Sequence, residues 1–401
     1  MIRQARPARR LPLRLLALAA ATACATGAWA QERPYYLGAS LGVTHESNVF
    51  RSPSNEQSDT ITSVGLLGGI DTQLGRQRVF ARGSINNNSH ADLSMLDNVS
   101  YTLGAGLEWE TIERLSGSLS VGASQRLAND TAPDLQPIVI NRKNIENARQ
   151  VAARIRYGIA ASLALEAGYA NRRVDYSTIE YIVRENTQDT ANIGLRWSRS
   201  DLLSLGVGVR YTKVDRPNAL IAAPNIIGPQ ESKRRDLDFT AVWKPTGRST
   251  LDGRISLTDQ DYSTAITPDV SGVTGSIIWG FNPGGRLSFS ASAIRDTGTE
   301  TTFFQFAPDQ NPVNVDSARI STQVGLQALY ELTAKTSLNA RIRHRSSSFA
   351  NSASSSADSY GLGVNWAPTR AVTVGCNIAR ESRDNAYDAD VFGCFGQFVL
   401  R

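Results

Sequence analysis

The chain is poor in lysine, histidine and cysteine, and no long apolar run follows residue 30. A transmembrane helix needs about eighteen consecutive apolar residues, so residues 31–401 contain none. The three histidines (His45, His90 and His344) and the two cysteines after residue 30 match no zinc-ligand spacing. No histidine has a serine and an orienting acid at a persuasive spacing. We therefore expect no metal, no cofactor and no enzyme activity.

Residues 1–30 have the features of a cleaved secretory signal peptide. A start with five arginines precedes a short apolar segment, and small residues stand at Ala28 and Ala30. We expect export through the Sec pathway and a mature chain of residues 31–401. The alternatives are a lipoprotein acylated at Cys24 and, from the Arg9–Arg10 pair, twin-arginine export.

Removal of residues 1–30 changes the interpretation of the net charge. The formal net charge of +5 becomes zero, because 37 basic side chains then face 37 acidic ones. The sequence pI of about 9.2 is therefore no sign of a nucleic-acid partner. Only five of these basic residues are lysine. Arginine is suited to bidentate contact with carboxylate, sulfate or phosphate.

The dominant pattern is an alternation with a period of two, which is the signature of β-strands. In "LLSLGVGVRY" (202–211), Leu203, Leu205, Val207 and Val209 share one face, and Arg210 lies on the other. We count 18 such runs, centred near residues 40, 66, 82, 104, 121, 153, 168, 194, 208, 239, 255, 276, 291, 324, 342, 363, 376 and 396.

The links between the runs alternate in length, for example 74–77 and 111–114 against 128–146 and 215–232. Every proline after residue 30 lies outside the expected strand cores. We therefore predict an all-β fold, a transmembrane antiparallel up-and-down β-barrel of about 18 strands over residues 31–401, located in a Gram-negative outer membrane. It should have short periplasmic turns and long extracellular loops. A soluble sandwich or propeller is the alternative, but no blade repeat is present.

Tryptophans support this prediction. They stand at or near the short-turn ends of the runs, where an interfacial aromatic girdle belongs. These are Trp109, Trp197, Trp243, Trp279 and Trp366.

The polar face of the strands carries more arginine than acid, which suggests an anion path through an aqueous lumen. The inward acids are Glu108, Glu166, Asp236, Asp238 and Asp252. As the alternative, acids and arginines pair and brace the wall. The candidate arginines are Arg82, Arg154, Arg156, Arg196, Arg210, Arg254, Arg319, Arg341 and Arg343.

The two mature cysteines fall in the last two runs. If these strands pair about a turn near Asn385, Cys376 and Cys394 are direct neighbours. An oxidising compartment then favours a disulfide, with two free thiols as the alternative.

The segment "THESNVFRSPSNEQSDTITSVGLLGG" resembles outer-membrane proteins of the EpsL type, which are encoded in exopolysaccharide operons and belong to a broader group of β-barrel porins. The matching positions are Asn48, Phe50, Arg51, Ser58, Asp59 and Thr60. "LGRQRVFARGSINNNSHADLSMLDNVSYTLGAGLEWE" (74–110) is similar to the same family.

This resemblance implies export of an extracellular polysaccharide, and the arginines of the polar face suggest that the polymer is anionic. The protein's partners would be outer-membrane lipid, the polysaccharide, and a periplasmic and inner-membrane synthesis and export machinery. Two other functions stay open: a general or anion-preferring diffusion porin, and a structural or lipid-modifying surface barrel.

Overall fold

A computed structural model describes residues 34–401 except for 112–113, 129–141, 161, 223–225, 265–266, 268, 298–319, 349–353 and 385. The predicted signal peptide therefore lies outside the described residues. Besides two short 3-10 turns, the described chain forms strands β1 Tyr35–Glu46, β2 Asp59–Leu74, β3 Gln77–His90, β4 Asn98–Glu110, β5 Leu115–Leu127, β6 Ile145–Ala160, β7 Leu163–Tyr176, β8 Asn186–Ser200, β9 Leu203–Ala222, β10 Ile226–Thr246, β11 Ser249–Tyr262, β12 Val270–Phe281, β13 Leu287–Asp296, β14 Ile320–Thr333, β15 Thr336–Ser348, β16 Ser355–Trp366, β17 Val372–Arg383 and β18 Tyr387–Leu400.

The strands form one closed barrel. Each pairs antiparallel with its neighbour in sequence, and β1 also pairs with β18 from Leu37↔Leu400 to Glu46↔Val391. Closure leaves no sheet edge, so the backbone groups of every strand find partners within the wall. The predicted all-β class and strand number are confirmed, since all 18 predicted centres fall inside strands. Among the described residues, no helix is long and apolar enough to cross a membrane.

Side chains alternate between the outside and the lumen. On β1, Leu37, Leu41 and Val43 point outward and are 63, 56 and 46% exposed, whereas Ser40 and Thr44 point inward. The same outward apolar surface recurs around the barrel. In water such a continuous apolar surface is unfavourable, but in a bilayer lipid chains cover it. The barrel is therefore a transmembrane barrel of the outer membrane, in contact with lipid.

The outward tryptophans lie at the short-turn ends of their strands. Trp197, Trp243, Trp279 and Trp366 are all more than a third exposed, and Trp109 is half-buried. The indole of Trp279 donates to Ser249 Oγ (3.0 Å). They mark the periplasmic edge of the apolar belt.

The predicted long link at 215–232 is wrong in one respect, because most of it is strand. β9 and β10 extend far beyond the belt and pair over nearly their whole length. Pro217 and Pro229 interrupt this pairing where its register shifts between Gly228 and Gln230. A bulge tolerates the missing N–H donor of proline, so these prolines lie inside strands after all.

Cys376 and Cys394 are directly opposite each other on β17 and β18. Their Cα atoms are 4.0 Å apart and a disulfide joins them. Both point outward with Ile378 and Phe392, so the bridge lies on the lipid-facing side of the last hairpin.

Candidate functional site

The inner wall of the barrel holds nearly all the candidate arginines. Eight of the nine lie on described strands, and in each strand they share the parity opposite to the exposed apolar side chains. Arg319 lies outside the described residues. On β15, for example, Leu338 and Ile342 point outward while Arg341 and Arg343 point into the lumen.

On β6–β8 two arginines share one acid. Glu166 on β7 is directly opposite Arg156 on β6, whose Nε is 3.2 Å from the carboxylate. Arg196 on β8 reaches the same carboxylate oxygen at 2.8 Å. Arg154 lies close enough to interact electrostatically with all three groups. This cluster therefore carries more positive than negative charge.

On β9–β11 the inner wall is braced by a buried network. Arg210 donates to both carboxylate oxygens of Asp238 (2.9 and 3.1 Å) and lies 3.4 Å from Asp236. Arg254, 6% exposed, lies in the field of the same groups. Ser256 donates to Asp238 Oδ1 (2.6 Å). Here the arginines hold strands together and are not open to a solute.

The centre of this network is Arg234, which the inward count from sequence did not include. It is 1% exposed and forms ion pairs with Asp236 (2.9 Å) and Asp296 (2.6 Å). It also donates to Thr274 and Thr297. The alternation in "SKRRDLD" (232–238) placed Arg234 on the same face as Asp236, so parity alone could have identified it.

Arg341 and Arg343 on β15 differ from this network because they are exposed to the lumen. Within the described residues, neither has a carboxylate at ion-pair distance. Small residues flank them: Arg343 is opposite Gly325 on β14, and Arg341 is opposite Gly361 on β16. A Cβ at Gly361 would lie 2.7 Å from Arg341 Nε, so this glycine leaves room for the guanidinium. The pair can meet a dissolved anion directly.

Arg82 on β3 is half-buried on the inner face, and it too has no ion-pair partner among the described residues. It lies opposite Gly69 and Gly104. Uncompensated arginines thus occur at two places on the lumen wall, β3 and β15.

The residues of the EpsL-like motif form a buried cluster at the extracellular rim. Asn48, 0% exposed, donates to Ser52 O (2.8 Å) and to Asp388 O (3.1 Å), which lies on β18. Arg51, in a left-handed conformation with φ 53°, forms ion pairs with Glu46 (2.7 Å) and Glu381 (3.2 Å). Burial alone would lower the pKa of Arg51, but these two carboxylates raise it.

Asp59 anchors the next loop. Its carboxylate accepts hydrogen bonds from the N–H groups of Thr60, Ala91, Asp92 and Leu93, at 2.6–3.1 Å. Phe50 is half-buried at the same rim. The motif therefore has a structural role here: it ties the first long loop to β17 and β18, and the loop after β3 to the start of β2.

No family profile and no curated protein matches the chain. Several solved structures resemble it. OpdK from Pseudomonas aeruginosa, solved with vanillate, is 13% identical, with 91% of this chain and 98% of that chain covered and a TM-score of 0.49. OccAB4 from Acinetobacter baumannii is 12% identical, with 92% and 99% covered and a TM-score of 0.48. The barrel assignment itself rests on the strand pairing.

The prediction of polysaccharide export is wrong. The comparison with solved structures gives no support to an export conduit. The structure also shows that Arg196 and Arg210, two of the arginines assigned to a polymer path, are held by carboxylates of the wall. The predicted partners that depended on export, the polysaccharide and its assembly machinery, are not supported either.

Proposed function

We propose that the protein is a non-enzymatic diffusion pore of the outer membrane that prefers small anions to small cations. The observation that carries the proposal is the pair Arg341 and Arg343, exposed to the lumen without a carboxylate partner in the described part of the chain. An 18-stranded barrel is wide enough for a water-filled lumen. In such a lumen, arginine side chains favour anions.

The remaining charges of the inner wall also favour anions over cations. Two arginines share Glu166, and Arg82 adds a further uncompensated charge. Carboxylates and phosphates are the natural solutes, because the guanidinium can contact two of their oxygens at once. OpdK, solved with vanillate, shows a similar fold bound to a small carboxylate, although the proposal rests on the arginines of this chain.

The test is ion selectivity in planar bilayers. We expect the wild-type pore in a KCl gradient to give a reversal potential of the anion-selective sign, and Arg341→Gln/Arg343→Gln to move it toward the cation side. Conductance should persist, because both side chains are exposed and brace no strand. Arg380→Gln is the matched control, since Arg380 points outward and pairs with Asp388 and Asp390. A reversal potential unchanged by the double substitution would contradict the proposal.

We also propose that residues 1–30 are removed by signal peptidase after Ala30. The basic start, the apolar segment and the small residues at Ala28 and Ala30 support this. The intact mass of the protein purified from outer membranes should correspond to a chain beginning at Gln31. A mass that includes a lipid on Cys24, or the uncleaved segment, would refute it.

Membership of the EpsL type remains a prediction from the motif around Asn48, Arg51 and Asp59. The burial of these three residues supports their structural role at the rim of this chain and does not bear on export.

A further inference from the structure

The outer face of the barrel changes character above the apolar belt on β6–β11. On β6 the exposed Val151 is followed, toward the extracellular side, by outward Arg149. On β9, Tyr211 is followed by Lys213. At the corresponding position on β2, β3 and β5 the outward residues are uncharged: Thr62, Asn87 and Gln125. The basic residues of this charged region are defined here as the sector: outward Arg149, Arg173, Lys213, Lys233 and Arg235. Outward acids lie among them, and outward charges also occur outside the sector, at Arg295 and Arg380.

Two pairs in this sector place like charges directly opposite each other. Arg149 on β6 faces Arg173 on β7, and Lys213 on β9 faces Lys233 on β10. Directly opposed like charges destabilise a sheet unless an anion lies between them. Glu231 forms ion pairs with both Lys213 and Lys233, at 3.0 and 2.9 Å.

The pair Arg149 and Arg173 has fewer carboxylate partners. Asp175 contacts Arg173 (2.9 Å). Arg149 is exposed, and within the described residues no carboxylate lies at ion-pair distance from it. Exposed ion pairs such as Arg173–Asp175 are worth little, about 0–1 kcal/mol, so an external anion competes with them. A group with several negatively charged oxygens could therefore bind between Arg149 and Arg173.

An apolar hollow beside the sector indicates that the anion belongs to a lipid. Its volume is ≈ 680 Å³, and Arg235 closes its extracellular side. The small Ala191 leaves space beside the larger side chains, so the hollow can take part of an acyl chain. Its outward apolar lining is Ala191, Ile193, Val209, Tyr211, Leu237 and Leu257.

We propose that this sector binds the phosphate groups of a phosphorylated glycolipid of the outer leaflet, with Arg149 and Arg173 as the main phosphate contacts and an acyl chain in the hollow. The extracellular end of the belt faces that leaflet. Guanidinium groups bind phosphate oxygens in a bidentate manner, and basic residues close to an anionic membrane surface each contribute to attachment. The acids Asp189, Asp215, Asp259 and Asp261 lie within the sector, opposite or paired with Lys213, Lys233 and Arg235. The phosphate contacts are therefore assigned to Arg149 and Arg173.

The experiment uses the full barrel in detergent with EDTA, which removes binding through divalent cations and these acids. Thermal unfolding and native mass spectrometry are recorded with bisphosphorylated lipid A, with its dephosphorylated form and with phosphatidylglycerol. We expect the phosphorylated glycolipid alone to raise the melting temperature. Its apparent affinity should fall about tenfold or more in Arg149→Gln/Arg173→Gln, as expected when two basic contacts are lost.

Without lipid, this variant should melt at or above the wild-type temperature, because the repulsion between the two arginines is gone. Arg380→Gln, an outward arginine outside the sector, serves as the control and should retain the full lipid effect. Three results would each overturn the proposal: an equal shift with the dephosphorylated lipid, an equal shift with phosphatidylglycerol, or an unchanged affinity in the double variant.

Discussion

Replacing Arg234 with alanine is expected to be among the most destabilising single changes in this barrel. Arg234 is 1% exposed and lies between Asp236 and Asp296, so its removal takes away a cation that pairs with two buried carboxylates. Asp236 keeps Arg210 at 3.4 Å. Breaking a buried ion pair by removing one partner typically costs about 3–5 kcal/mol. The hydroxyls of Thr274 and Thr297 also lose the group that donates to them.

The neighbouring Arg235 provides a matched control on the same strand. Its side chain points outward, is 60% exposed and pairs with Asp259 and Asp261 at 3.6 and 3.2 Å. Such surface pairs contribute about 0–1 kcal/mol, so Arg235→Ala should change the unfolding free energy little.

The measurement is thermal unfolding in detergent, followed by the heat-dependent mobility of the barrel on gels. Arg234→Ala should unfold at a clearly lower temperature than Arg235→Ala. Similar melting of the two variants would show that the buried network does not stabilise the wall. Double substitution of Arg234 and Asp236 to neutral residues should recover part of the loss, because the buried negative charge is then reduced together with the positive charge.

The contrast between these adjacent arginines also shows how far sequence reasoning reaches. The period of two decides the face on which each side chain lies, and this is enough to separate Arg234 from Arg235. It does not decide height along the barrel axis, which depends on the register of every hairpin in turn. Arg234 on β10 donates to Asp296 on β13, three strands away, and no spacing in the sequence predicts that contact.

The same limit explains why the inner-wall arginines could not be sorted beforehand. Arg196 and Arg341 look alike in sequence, each inward on an alternating strand. The register brings Glu166 beside Arg196, but it places the uncharged Gln327 and Gly361 on the two sides of Arg341. Whether an arginine braces the wall or meets a solute is therefore a property of its neighbours across the sheet.

Loops and strand ends were harder still. β9 and β10 continue through Pro217 and Pro229 because a shared irregularity in the pairing accommodates both. Asn48 contacts Asp388, 340 residues later, only because β1 closes onto β18. The motif can be recognised in the sequence, but its structural role depends on the closure of the barrel between β1 and β18.

Asp59 in that motif should be the second most sensitive position. Asp59→Ala removes the acceptor of four backbone N–H groups, and those of Asp92 and Leu93 belong to the loop that follows β3. A buried donor left without an acceptor costs about 1–3 kcal/mol. Ala91 N–H also donates to Thr60 O (3.0 Å) and keeps that bond. We therefore expect a loss of about 2–4 kcal/mol, concentrated at the rim.

Two readouts separate this local effect from general unfolding. Limited proteolysis should cut the segment around residues 91–97 faster in Asp59→Ala than in the wild type, while the strands stay protected. Asp59→Asn, which keeps one carbonyl acceptor, should lie between the two. Asp92→Ala is the control, because Asp92 is exposed in the same loop and only its backbone contacts Asp59. Equal cleavage of the Asp59→Ala and Asp92→Ala variants would mean that the carboxylate of Asp59 does not hold the loop, and that the motif's rim contacts rest on Asn48 and Arg51 alone.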